Sequence, residues 1–381
     1  MNQVEQPTIN LLLLTAVGGF IEIYEDTEPL ERINTSNSVY HIIPIAGTTK
    51  FVAFNKLNSH KSSFFIHNTE TGETFESDEI DGSIGDMIYN PNYNYGNEIL
   101  VAVNSNPGKV SRYNLAGQYL TDITFPSSDL EYNFMRKMFI NPNGKLFITS
   151  NMNKSLQDID PRLWVFNASD YSFIKEHPIE MPSYSYNFYF YNADFCYNKL
   201  NGLTYMIISP GQRYEGGGGT APEFGTPDPY QSTTNYLKDP NYTGNNNGWL
   251  IKYDETTNTT ENLQTFTFPK EVLFVNTNLS GPSEDQGVLF INADRVYQYD
   301  CASEELTSFG ISMYKIIYNS IYPNRIFGIN DEHVTNTSDR RVLTHEIYFD
   351  GTSSQKYSIA GQAGYIFLKS IQWVIIRVSK D

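Results

Sequence analysis

Between residues 98 and 125 the chain reads EILVAVNSNPGKVSRYNLAGQYLTDITF, and its apolar and polar positions fall into three short strands separated by two turns. Residues 99–103 are an apolar run, 104–109 carry the Pro-Gly of a turn, 110–113 alternate, and 114–117 turn into the alternating 118–125. A meander of this kind cannot bury both of its faces alone. Its recurrence along the chain therefore predicts an all-β fold, a β-propeller whose blades stack about an axis.

The recurrence can be followed through the chain. Counting the four strands of a blade a to d from the axis outward, residues 9–34 supply b, c and d and lack an a strand. Residues 39–80 form a second unit, 98–125 preceded by 86–90 a third, and 134–180 a fourth. The fifth starts near 188, and its c strand WLIKYD is delayed by a Gly-, Tyr- and Asn-rich stretch at about 210–248. The sixth covers 270–310 and the seventh 312–359. A turn signal returns between a and b strands: YNPNYNYG, INPNGKLF, YNKLNGLTY and YNSIYPNRIF, where Asn and Gly suit the positive φ of tight turns. Residues 365–368 read as an a strand and 373–378 as a b strand, so the first and last segments compete for one blade. The expectation is seven four-stranded blades in a single domain, 1–381, the last blade closed by both chain ends, with 11–17 or 373–378 extending or replacing a strand. Six and eight blades are the alternatives. Closure of that kind removes an open sheet edge.

In phrases such as NLAGQYLTDITF and INPNGKLFITS the blade pattern resembles the broad group of propellers related to NHL and YVTN repeats. The likeness runs over nearly the whole chain. No Trp-Asp dipeptide closes a c strand, no Gly-Gly pairs mark kelch blades, and no Ser-x-Asp-x-Gly-x-Thr-Trp box is present. The group includes enzymes, ligand binders and scaffolds, so the resemblance implies a fold and leaves function open.

The 381 residues suit a propeller, which spreads its core between neighbouring blades, and 14% aromatic content, mostly Tyr and Phe, fits β-rich packing. A formal charge of -17 lacks the positive footprint that nucleic acid requires, so no nucleic-acid partner is expected. Residues 1–10 hold no Lys or Arg, and the apolar run 11–14 is soon interrupted by Thr15, Gly18 and Gly19. This reads as neither signal peptide nor membrane span, no membrane insertion is expected, and the compartment stays open. Cys196 and Cys301 fall in different blades and read as free, packed thiols.

No pattern in the chain specifies catalysis. The six histidines, at 41, 60, 67, 177, 333 and 345, show no metal-ligand spacing, and no cofactor or metal is expected. Asp158 and Asp160 in SLQDIDPR would offer two carboxylates to Ca2+, but the Gly and distal Glu of a calcium loop are missing. Asp331, Glu332 and His333 would make an acid–base cluster, and loop polarity explains them equally. Gly216 to Gly219 lack the Lys-Ser or Lys-Thr of a phosphate loop, and no Gly-x-Ser-x-Gly elbow occurs. Asn-x-Ser/Thr triplets at Asn34, Asn153, Asn167, Asn241, Asn258, Asn278 and Asn336 fit chance in a chain rich in these residues.

The b–c connections at 55–62, 150–162, 210–248 and 330–341 all read as extended, which elaborates one face of the propeller. Protein partners are expected there, contacted by Tyr214, Phe224, Tyr230, Tyr236, Tyr242, Asp158, Asp160, Arg162, Asp331 and His333, because Tyr among small polar residues makes an adaptable contact surface. The functional expectation is a non-catalytic interaction or structural module in a larger assembly such as a virus particle or surface machine. The alternative is a propeller-fold hydrolase or lyase acting on glycans through carboxylates and tyrosines near the axis.

Overall fold

The computed structural model describes residues 10–17, 20–25, 28–34, 39–45, 48, 50–56, 61–68, 70–92, 97–105, 107–126, 134–155, 158–179, 188–212, 247–267, 269–275, 287–313, 315–318, 324–333, 340–349, 352–360, 362–369 and 374–379, for some terminal strand residues by backbone alone. Every element of regular structure among them is a β-strand. The chain divides into two compact units, one of Met1–Asn55, His67–Thr74 and Tyr314–Asp381, the other of Lys56–Ile66 and Phe75–Met313.

In the first unit, β1 (Asn10–Val17), β2 (Phe20–Glu25) and β3 (Glu28–Asn34) form an antiparallel meander. β4 (Val39–Pro44) pairs antiparallel with β5 (Lys50–Lys56). β6 (Lys61–Asn68) and β7 (Thr74–Glu76) each run across the division between the units, and β8 (Ile80–Asp81), in the second unit, returns to pair the start of β6.

The second unit holds four successive antiparallel meanders. They are β9 (Ser83–Asn90), β10 (Glu98–Asn104), β11 (Lys109–Asn114) and β12 (Tyr119–Asp122); β13 (Phe134–Ile140), β14 (Lys145–Ser155), β15 (Asp158–Asn167) and β16 (Phe173–Pro178); β17 (Phe188–Asn198), β18 (Leu203–Gln212), β19 (Asn247–Asp254) and β20 (Thr259–Thr267); and β21 (Glu271–Val275), β22 (Val288–Asn292), β23 (Val296–Asp300) and β24 (Leu306–Ser308). Within this unit β9 packs beside β13, β13 beside β17, and β17 beside β21, so the first strand of each sheet is its inner strand. The arrangement is that of a propeller-like fold.

Back in the first unit, β25 (Lys315–Tyr318), β26 (Arg325–His333), β27 (Arg340–Tyr348) and β28 (Ser353–Ala360) make another meander. The last strands, β29 (Gln362–Lys369) and β30 (Val374–Ser379), join the N-terminal sheet in the order β29-β30-β1-β2-β3. β29 also pairs antiparallel with β1, Leu11 opposite Leu368, while β30 meets β1 in parallel at Leu14 and Arg377.

Sheet-to-sheet packing explains the aromatic content. Between the β9–β12 and β13–β16 sheets, Phe125 sets its ring edge-on to Trp164 at 5.3 Å and to Phe166 at 5.2 Å, around a cluster that includes Leu100, Met138, Leu146 and Ile148. The next interface stacks Phe139 on Phe195 at 5.7 Å and sets Phe147 edge-on to Tyr253 at 5.2 Å. The Trp164 indole N–H, fully buried, donates to Ser150 Oγ at 2.8 Å, which satisfies its polar atom.

Four of the turns between third and fourth strands share one pattern. Asn68, Asn167, Asp254 and Asp300 each open such a turn, and the residue four later has positive φ: Gly72 (72°), Tyr171 (57°), Asn258 (51°) and Glu304 (59°). In three of them the later N–H closes on the opening carbonyl, Gly72 on Asn68 at 2.8 Å, Tyr171 on Asn167 at 2.8 Å and Glu304 on Asp300 at 2.9 Å. Glycine adopts this backbone without strain, whereas a non-glycine side chain there is held at a cost. At Tyr171 the return is visible, because its hydroxyl donates to Glu98 Oε2 at 2.8 Å and accepts from Asn90 Nδ2 at 2.9 Å. Arg112 grips the same Glu98 carboxylate bidentately at 2.9 and 2.8 Å and lies 4.6 Å from the Tyr171 ring centroid.

Two connections differ from the sequence expectation. Residues 150–162 and 330–341, expected as extended loops, contain continuing hairpin: β14 pairs β15 out to Ser155 and Asp158, and β26 pairs β27 out to His333 and Arg340. Polar side chains concealed the strands from a hydrophobicity reading, while the ladder satisfies their backbone N–H and C=O groups.

Candidate functional site

The inner strands of the second unit align on their Asn-bearing ends. Counting back four residues from Asn90, Asn141 and Asn198 reaches Asp86, Lys137 and Asp194, and the corresponding position of β21 is Glu271. Four successive inner strands therefore carry an ionisable residue at one level. Asp86 lies in the sheet opposite Ala102, Lys137 opposite Thr149, Asp194 opposite Ile207 and Glu271 opposite Asn292.

Two of the carboxylates fasten one inner strand to the next. Asp86 Oδ2 accepts the Met138 N–H at 2.8 Å, and Asp194 Oδ2 accepts the Val272 N–H at 3.1 Å. Met138 and Val272 each directly follow the ionisable residue of their own strand, so the bond repeats at the same level. The strands come close enough because residue 85 is glycine: a Cβ there would lie 2.2 Å from the Met135 carbonyl oxygen. Gly85 is also the extra residue where the β9–β10 register shifts, and Arg136 holds the same place in β13. A bulge before the charged position turns its side chain relative to a regular ladder.

Lys137 is the centre of charge. Its Nζ is 3.8 Å from Asp86 Oδ1, with 30% of the Lys137 side chain exposed against 4% for Asp86. Burial alone would lower the ammonium, but the carboxylates of Asp86, Asp194 and Glu271 outweigh it and hold the group above its ordinary value. Glu271 accepts from Asn292 Nδ2 at 3.1 Å. The neighbouring Lys270 donates to the Met313 carbonyl at 3.2 Å, and burial shifts it downward, opposed by Glu271 and Asp294. The arrangement offers one fixed positive charge, two part-buried carboxylates at Asp194 and Glu271, and the buried Asp86. It can take a proton from water and stabilise negative charge on a substrate oxygen.

At the other end of the inner strands, the recurrent Asn of the turn signal has two tasks. Its Oδ1 accepts a local backbone N–H, from Asn92 to Asn90 at 2.9 Å, from Lys145 to Asn141 at 2.9 Å and from Leu200 to Asn198 at 2.9 Å. Its Nδ2 reaches the next sheet: Asn90 donates to the Ala168 carbonyl at 2.8 Å, Asn141 to Thr204 Oγ1 at 3.1 Å and to Glu255, and Asn198 to Cys301 Sγ at 3.4 Å. The fourth copy, Asn319, lies outside the described residues.

Of the expected contact residues, Arg162 is the one whose side chain is among the described residues. Tyr214, Phe224, Tyr230, Tyr236 and Tyr242 lie outside the described residues. Asp158, Asp160, Asp331 and His333 stand on hairpin strands described by backbone, opposite Ser155, Met152, Val342 and Arg340. Arg162 pairs with Glu176 Oε1 at 2.8 Å across β15 and β16. Cys196 and Cys301 carry free thiols, and burial pushes Cys301 up to about 11 and Cys196 well up. Sequence reasoning passed over Asp86, Lys137, Asp194 and Glu271. For Asp86, Lys137 and Asp194 the signal was positional, a charged residue four before the turn Asn in one inner strand after another.

No protein-family model matches the chain, and no curated protein matches it. Among solved structures, a provisionally assigned 6-phosphogluconolactonase from Bacteroides fragilis is 12% identical, with 94% of this chain and 97% of that one covered and a TM-score of 0.53. One from Bacteroides uniformis, similarly assigned, is 12% identical, with 92% and 97% covered and a TM-score of 0.51. Saccharomyces cerevisiae Sqt1 is 11% identical over 90% of this chain and 78% of its own, at a TM-score of 0.47. At these identities the likeness establishes the fold alone, a propeller-like one. The expectation of a non-catalytic structural module in a larger assembly is corrected: the neighbours above a TM-score of 0.5 bear the names of enzymes.

Proposed function

We propose that this chain is a propeller-fold hydrolase acting on uncharged carbohydrate, with its acid–base centre in the inner-strand group of Asp86, Lys137, Asp194 and Glu271. The observation that carries the reading is Lys137, part-exposed and kept protonated by three carboxylates of other inner strands. A perturbed titratable group set among ionisable residues of successive strands is a mark of functional sites. In this reading Glu271 or Asp194 takes a proton from the attacking water, and the Lys137 ammonium faces the oxygen on which negative charge gathers. Asp86 holds Lys137 and the β13 backbone in place. The hydrolytic names of the two Bacteroides neighbours support the reaction class. Their named substrate carries a phosphate, which three carboxylates against one ammonium would repel, so a neutral sugar derivative fits this chain better.

Under the same reading the seven sheets are seven blades of one domain, and the sheet β29-β30-β1-β2-β3 is the blade that both chain ends complete.

The test is hydrolysis of a panel of aryl glycosides and unphosphorylated sugar lactones by the full chain and by K137M and E271Q. Both variants should lower kcat by about a hundredfold or more, the scale of general acid–base and electrostatic contributions, while melting as the parent does. Unchanged kcat in both, or no turnover of any substrate by the parent, overturns the reading.

A further inference from the structure

Beside the turn from β17 into β18, the sheet of β17 to β20 and the sheet of β21 to β24 leave a cavity of about 490 Å3 lined by residues of both. We propose that this cavity binds a small hydroxylated amine, with the Glu304 carboxylate and the Tyr299 hydroxyl receiving its ammonium group. The inference does not rest on the hydrolase reading.

Most of the polar groups in the lining are already engaged. Asn201 Nδ2 donates to the Tyr205 hydroxyl at 3.0 Å while its Oδ1 accepts the Leu203 N–H at 3.1 Å. Asn198 Nδ2 donates to Cys301 Sγ at 3.4 Å, Tyr205 and Cys301 share a hydrogen bond, and Lys252 is paired with Glu261 at 2.6 Å. Two groups remain. Glu304, exposed at the rim, makes no ion pair among the described residues, and Tyr299, 2% exposed, has no hydrogen-bond partner for its hydroxyl among them. A carboxylate and a phenol oxygen both accept, so together they suit a donor-rich cation such as an ammonium. The turn sets the carboxylate in place: Asp300 Oδ1 accepts the Ala302 and Ser303 N–H groups at 2.8 and 2.9 Å, and the Glu304 N–H closes on the Asp300 carbonyl at 2.9 Å. The local field has the matching sign. Burial, then Glu304, Cys301, Glu261 and Asp300 raise the Tyr299 phenol above its ordinary value, so it stays protonated with negative charge around it. That charge repels an anion, and a neutral ligand forgoes the charge-assisted hydrogen bond. The surface that the cavity exposes is mostly polar and its volume is that of a small-molecule site, which suits a body carrying hydroxyls over a hydrocarbon one.

The probe is D-glucamine, protonated at pH 7, with D-sorbitol and D-gluconate as its neutral and anionic counterparts, each titrated into the full chain by calorimetry. Saturable one-to-one binding of D-glucamine is expected, at least about tenfold tighter than either counterpart. E304Q should weaken it about tenfold and Y299F several-fold, whereas E305Q, the same loss of charge on the next exposed residue but outside the lining, should leave it unchanged. Glu304 lies on an exposed turn, so E304Q decides the matter if Y299F fails to fold. Absent or unsaturable binding, equal affinity for D-sorbitol or D-gluconate, or a loss in E304Q no greater than that in E305Q overturns the proposal.

Discussion

The Asp86 carboxylate accepts the Met138 backbone N–H at 2.8 Å, from the inner strand of one sheet to the inner strand of the next. Asp86 is 4% exposed, so removing its carboxylate leaves a buried donor without its acceptor. D86A should lose about 1–3 kcal/mol of stability in a denaturant titration. D86N, which keeps one acceptor oxygen, should lose less. Equal losses in the two variants would show that the cost is packing and not the hydrogen bond.

Gly85 is required by that same approach. A Cβ at this place would sit 2.2 Å from the Met135 carbonyl, a backbone atom that cannot swing aside. G85A should therefore destabilise by about 1–3 kcal/mol, as overpacking does. If it instead stabilises, as Gly to Ala can at an open site, the close approach of β9 and β13 is wrong.

Two turn residues with nearly the same backbone strain should respond in opposite directions. Tyr171 and Glu304 have φ of 57° and 59°. E304G relieves the strain at an exposed site and should leave stability unchanged or raise it by up to about 1 kcal/mol. Y171G relieves the same strain but removes the hydroxyl bound to Glu98 and Asn90, and should cost several kcal/mol. Thermal melts of the two variants side by side make the comparison.

Much of this fold was legible because strand period and turn chemistry are local. Residues 98–125 gave three strands that match β10, β11 and β12. The returning Asn was legible as a turn signal, though the sequence offered only the turn geometry. Its second bond, from Asn198 to Cys301 or from Asn90 to Ala168, joins residues 78 or more apart, and no local pattern reports that. The charged group was hidden for a related reason. Asp86, Lys137, Asp194 and Glu271 are each unremarkable beside their own neighbours, and only the stacking of sheets puts them at one level. The paired strands of 150–162 were missed because their polarity imitates a loop.

His177 makes stability depend on pH. It is 6% exposed, its ring stands edge-on to Tyr253 at 5.4 Å, and its Nε2 is buried without a hydrogen-bond partner. Burial first, and then Lys175, lower its affinity for a proton below the ordinary imidazole value. The unfolded chain therefore binds that proton at higher pH than the folded one. The His177 contribution is complete above the ordinary value near 6.5 and is lost as pH falls toward and through the folded value. Denaturant titrations between pH 7.5 and 5 should show stability falling with pH, and H177Q should flatten the slope. A slope unchanged in H177Q would assign the effect to other groups.

The bonds from Asp86 and Asp194 end on main-chain N–H groups, of a methionine in one strand and a valine in the other. A carboxylate that reads the backbone is indifferent to the side chain it meets, provided that residue is not proline. Mutation can then rewrite the inner strands one at a time, and a duplicated or exchanged repeat can be accepted without matching changes in its neighbour. Such a molecule can keep its shape while its repeats drift beyond mutual recognition.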